Sequence, residues 1–126
     1  MLSKSTLFRC LAYLLALSAA PADAAPPTPM GRVSAAQFLE GLDHAKTDPR
    51  ARELLAAYVN GAVEAADAAS KAADKKLICA EPGKESFDAE RFASLLRKRA
   101  PTAKAQASLA ATPVLVEYLM RKYPCR

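Results

Sequence analysis

The chain has 126 residues, 18 basic and 13 acidic, and its charges are mixed along its length rather than gathered in blocks. That pattern argues against a nucleic-acid surface, which clusters Lys and Arg on one stripe or tail. Four glycines, one histidine and three cysteines leave little material for phosphate loops or metal clusters.

The N-terminus carries Lys4 and Arg9 with no acid, then the eleven-residue apolar run Cys10–Ala20 (CLAYLLALSAA), then Ala22-Asp23-Ala24. A basic zone, an apolar zone and a small-x-small site in that order predict a signal peptide over residues 1–24, cut before Ala25. The run is too short for a permanent span, which needs about 20 residues. Cys10 stands at its front rather than its end, which argues against a lipid anchor. The mature chain is therefore expected to be soluble, in an oxidising compartment and without a stable membrane anchor. Removal of Lys4, Arg9 and Asp23 leaves sixteen basic and twelve acidic residues, a net charge of +4. It also leaves two cysteines, Cys79 and Cys125, with a single possible pairing. Such a bridge contributes about 4 kcal/mol in the chain-entropy model.

Residues 25–33 begin APPTPM and read as an extended Pro-rich leader with no fold of its own. Ser34 with Gln37 forms a capping box that opens a short helix to about Ala45, with Phe38, Leu39 and Leu42 on its apolar edge. Asp48-Pro49 is a cap followed by a first-turn proline. From there to about Ala73 a spacing of three and four places Leu54, Leu55, Tyr58, Val59, Ala62, Val63 and Ala66 on one stripe. Gly61 within it costs about 1 kcal/mol against alanine, which predicts a close helix crossing there. Glu81-Pro82-Gly83 reads as a turn. Ser86 is the expected cap of a third helix, with Phe92, Leu95 and Leu96 inward and Arg97, Lys98 and Arg99 in the last turn, where base complements the helix dipole. Pro101 stops it. Residues 103–111 are alanine-rich and weakly patterned, suited to a further turn or two of helix. Thr112-Pro113 is the expected start of a last helix carrying Val114, Leu115, Tyr118 and Leu119, ended by Pro124. No period-two run of any length occurs, so the expected fold is all-α, a small bundle of about four helices stapled by one disulfide, in a single domain over residues 34–126.

The chemistry-bearing residues are sparse. His44 beside Asp43 reads as a surface histidine, since neighbours on a helix point in different directions. Cysteines 46 positions apart without partner histidines do not match a zinc site, and no glycine-rich phosphate loop is present. The sequence therefore argues against an enzyme, a cofactor or a metal centre. The basic cluster Arg97, Lys98 and Arg99 with Lys104 suits either an acidic partner or simply the end of a helix.

Several short motifs occur in a suggestive order. Tyr58-Val59-Asn60-Gly61-Ala62-Val63-Glu64 is similar to a tyrosine–aliphatic–x–glycine–x–x–acid signature. Cys79 precedes a Pro-Gly turn and a hydroxyl-capped helix, and the chain closes on Tyr123-Pro124-Cys125. Over about Ala35–Cys125 the chain resembles the Rap/Tai-type immunity proteins of bacterial type VI secretion. Two further cysteines common there, aligning with Leu42 and Leu55, are both absent, and Glu64 stands where aspartate is commoner. The resemblance implies a periplasmic helical protein that binds a peptidoglycan amidase effector and occludes its cleft. It also implies a homodimer, with the alanine-rich second helix against its twin. On exposure and charge, the corner from Arg97 to Gln106 (Arg97, Lys98, Arg99, Lys104, Gln106) is the expected inhibitory surface. Size, helicity and one bridge fit two alternatives equally, a periplasmic acid-stress holdase and an orphan helical envelope protein; the terminal Tyr-Pro-Cys favours the immunity reading.

Overall fold

Residues 24–79 and 87–125 are described by a computed structural model, and in them the chain forms α1 (Ala35–Ala45), α2 (Pro49–Ala72), α3 (Ala89–Arg99), α4 (Ala103–Ser108) and α5 (Ala111–Lys122). No strand occurs among those residues, and a lone antiparallel bridge joins Ser34 to Ala110. The all-α expectation is met, as four longer helices with α4 as a six-residue piece between α3 and α5. The signal segment apart from Ala24, the Glu81–Gly83 turn and Ser86 lie outside the described residues.

Local signals account for most of the helix starts. Ser34 Oγ accepts from the Gln37 amide and Gln37 Oε1 from the Ser34 amide, both at 3.1 Å, which is the expected capping box. Asp48 Oδ1 accepts from the Arg50 amide at 2.9 Å with Pro49 in the first turn. Thr102 caps α4 through the Ala105 amide at 3.2 Å. The N-cap of α3 is Asp88 rather than Ser86, with Oδ1 2.9 Å from the Arg91 amide. Helix α5 starts at Ala111, ahead of the expected Thr112-Pro113, and has no side-chain cap. Its first amide instead donates to Val33 O at 2.9 Å, while the Ala35 amide donates to Leu109 O at 2.8 Å. Backbone from the leader thus does the work of a capping side chain, and Thr112 is left to hydrogen-bond the Tyr58 hydroxyl at 2.8 Å. The end of α2 is a Schellman turn: Lys75 N donates to Ser70 O and Asp74 N to Lys71 O, with Asp74 in the left-handed region at φ 50°.

Helix α1 packs against α2, α3 and α4, and α5 packs against α2 and α3. Between them lie Phe38, Val59, Phe92, Leu96, Val114, Leu115 and Leu119, all buried, with Phe92, Leu96 and Leu115 fully enclosed. Phe92 is the hub of the aromatics: edge-on to Phe38 at 4.9 Å, tilted on Tyr118 at 5.6 Å and on Phe87 at 5.8 Å. Small alanines at 35, 62, 93 and 111 let these helices approach closely enough to enclose the large rings.

Three expectations about packing change. The buried stripe of α2 runs through Val59, Ala62, Ala66 and Ser70, whereas Leu54 is 72% exposed. With about 100° between successive helical residues, the line through 59, 62, 66 and 70 leaves Leu54 at the flank. Gly61 is at no close crossing among the described residues, since a Cβ built on it meets nothing within 4 Å. The leader has no regular secondary structure yet is fastened to the domain. Ser34 Oγ donates to Pro26 O at 2.7 Å, and Thr28 is 6% exposed.

Candidate partner-binding corner

The predicted corner lies where α3 ends and α4 begins, with Ala100 and Pro101 between them. Ala100 is buried against the core and its amide closes the last turn on Leu96 O at 2.8 Å, so the turn has a fixed place. Gln106 reaches back from α4 and donates from Nε2 to Ala100 O at 3.0 Å. The glutamine therefore braces the turn from inside and is half-buried.

Arg99 is likewise engaged within the chain. Its Nη1 lies 2.7 Å from Glu117 Oε2 and its Nη2 2.9 Å from Glu117 Oε1, a two-pronged bond across α3 and α5. Arg121 Nη2 adds a contact to Glu117 Oε1 at 2.9 Å. The hydrogen bonds from Arg99 hold the Glu117 carboxyl below its ordinary range, and Glu117 raises the guanidinium in turn. Both groups are at the surface, so their attraction is screened and works mainly as a geometric clamp.

Arg97, Lys98 and Lys104 differ from these two. All three are exposed, and their side chains make no hydrogen bond or ion pair among the described residues. Arg97 also faces the C-terminal end of α1, where Asp43 and Lys46 pair at 2.7 Å and feel its charge. The corner therefore presents three cations on the two helices that flank a turn held by Gln106 and by the Arg99–Glu117 clamp. Of the five residues singled out by sequence, three face solvent and two support them. The signal missed in the sequence was Glu117, which stands 18 positions from Arg99.

The remaining chemistry-bearing residues lie elsewhere in the fold. Cys79 and Cys125 are bonded with their Cα atoms 5.0 Å apart, and the Cys79 amide donates to Tyr123 O at 3.0 Å. That pair ties the strand of chain leaving α2 to the end of α5. His44 has a side chain 67% exposed, with Nε2 3.8 Å from Glu40 Oε1. Tyr58 is half-buried against Phe38, and burial pushes its phenol above the usual value. No group of three or more His, Cys, Asp or Glu able to hold a metal ion occurs among the described residues. Nor is any helix among them long and apolar enough to cross a membrane.

An open groove of about 720 Å³ runs between α1 and α2, lined by Phe38, Gly41, Ala51, Leu54, Leu55 and Tyr58 among others. Along α2 its apolar wall continues through exposed Gly61, Ala65, Ala68 and Ala72. No protein-family model, curated protein or solved structure matches this chain.

Proposed function

We propose that this is a periplasmic immunity protein that binds a cell-wall amidase effector of type VI secretion and blocks its cleft, as the family resemblance implies. The observation that carries the reading is the corner of Arg97, Lys98 and Lys104, three exposed cations flanking a braced turn. A turn held before binding loses little conformational freedom when a partner covers it, so more of its contact energy appears as affinity. Three cations on one corner suit an acidic rim around a cleft, and they speed encounter with such a surface. Occlusion demands no chemistry of the inhibitor, only a rigid body and a site to fill.

The oxidised mature chain, used as bait, is expected to retain a cell-wall amidase at neutral pH, identified by mass spectrometry. With that enzyme in hand, calorimetry on the triple variant Arg97→Glu, Lys98→Glu, Lys104→Glu is expected to show affinity lower by at least tenfold. Unchanged affinity would remove the corner from the interface.

The same reading includes a homodimer through α2. Leu54, Tyr58, Gly61, Ala65, Ala68 and Ala72 follow a four-three repeat, the spacing of a helix seam, and all but Tyr58 are exposed. Gly41 and Gly61 have open space where a Cβ would sit, so nothing among the described residues accounts for either glycine by close approach. An antiparallel second copy would use that space. Glu53 and Lys71 lie on one flank of the seam, so each would meet its opposite charge across the two-fold axis. Light scattering of the mature protein is expected to give a dimer mass, and Leu54→Glu a monomer, because a charge would enter the seam on both copies. A monomer in the unaltered protein would sink this part of the reading.

A further inference from the structure

Glu40 sits on α1 with its side chain 35% exposed, one turn before His44. One of its oxygens turns back toward the leader, and Oε2 accepts from the backbone nitrogen of Ala25 at 2.7 Å. A run of hydrogen bonds delivers Ala25 to this carboxylate. Ser34 Oγ holds Pro26 O at 2.7 Å. Thr28 and Arg32 close a turn on each other, with Thr28 N donating to Arg32 O at 2.9 Å and Arg32 N to Thr28 Oγ1 at 3.1 Å. Gly31 supplies the left-handed residue that this turn needs, at φ 71°. Val33 O is held in turn by the first amide of α5.

The nitrogen on Glu40 belongs to the residue that the Ala22-Asp23-Ala24 motif makes the first of the processed chain. A cleavage pattern in the sequence and a carboxylate placed by the fold meet at one atom. We propose that Glu40 is the seat of the α-ammonium group that processing creates on Ala25. Hydrolysis by a signal peptidase breaks the Ala24–Ala25 amide bond. Water supplies hydroxyl to the Ala24 carbonyl carbon and hydrogen to the Ala25 nitrogen, and the freed amine then takes up a proton at neutral pH. A contact in which only the carboxylate is charged becomes an ion pair with charge on both partners. Cleavage thereby completes the attachment of the leader to α1. A cut one residue to either side would carry the ammonium about 3.8 Å along the chain, away from the carboxylate.

This inference rests on the export part of the proposed function and not on any inhibited enzyme, so it survives even where no amidase is bound. The full chain is exported from a bacterial host and the intact mass of the periplasmic protein is measured. A chain beginning at Ala25 is expected; any other first residue overturns the proposal. The mature protein is then acetylated selectively on its α-amine near about pH 6.5, where lysines remain protonated. Acetylation is expected to lower Tm by about 2–4 °C in the native protein and to leave the Glu40→Gln variant unmoved. Glutamine keeps an acceptor in place while removing the charge, so the variant isolates the ion pair. An equal loss in both proteins, or none in either, overturns it.

Discussion

Replacing Phe92 with alanine is expected to lower stability by about 3–5 kcal/mol, enough to unfold a large share of a domain whose total stability lies in the ordinary range of about 5–15 kcal/mol. Phe92 is fully enclosed, and its ring touches Phe38 from α1, Tyr118 from α5 and Phe87 from the approach to α3. Removal therefore opens a void among three segments at once, and Leu96 and Leu115 beside it are themselves fully enclosed by other side chains. Such a site collapses poorly, which puts the cost toward the upper end. Urea unfolding followed by circular dichroism measures it as a drop in the transition midpoint at constant slope. Phe92→Leu, which keeps most of the volume, should cost less than about 1.5 kcal/mol. Equal losses for the two variants would show that the packing of the ring is not what α3 depends on.

Breaking the Cys79–Cys125 bond is the second large effect. The bridge spans 46 positions, so the unfolded chain gains the freedom of a long loop when it is cut. In the chain-entropy model this amounts to about 4 kcal/mol, or roughly 15–30 °C in Tm for a domain of this size. Cys79 lies on the chain leaving α2 and Cys125 lies just past α5, so the bond also keeps the end of α5 against the core. The Cys79 amide on Tyr123 O is the hydrogen bond expected to fray with it. Thermal melts of the oxidised protein with and without reductant, and of the Cys79→Ser, Cys125→Ser variant, measure the loss. A variant melting within a few degrees of the oxidised protein would mean that core packing alone carries the fold.

Several features were legible because their causes are local. Ser34 and Gln37 are three residues apart, and a capping box needs nothing else. Asp48-Pro49 opens α2 for the same reason. Phe92, Leu96, Val114, Leu115 and Leu119 declared their burial by spacing, and with Cys10 assigned to the expected signal segment, Cys79 and Cys125 had one possible partner each. Where the local signal was duplicated, the choice fell to packing. Cap-type residues stand at both Ser86 and Asp88, and the helix begins after Asp88. Thr112 followed by proline looked like a helix start, but the leader backbone caps α5 at Ala111 and leaves the Thr112 hydroxyl to Tyr58.

The candidate corner divides in the same way. The exposure of Arg97 and Lys98 follows from polar residues at the end of an amphipathic helix, and that of Lys104 from the polar start of the short helix after it. That Arg99 is clamped by Glu117, and that Gln106 braces Ala100, depends on how α3, α4 and α5 lie against one another. Leu54 belonged to the right helix and the right apolar set, yet its side is set by where α1 crosses α2. By itself the sequence determined the four longer helices, the caps of α1 and α2, the large buried apolar residues and the disulfide, all of which follow from short-range periodicity or from counting. Only the tertiary structure decided which charges are spent within the chain, which apolar side chains stay outside and where the leader docks. Those outcomes depend on contacts between residues distant in sequence, whose geometry no local pattern encodes.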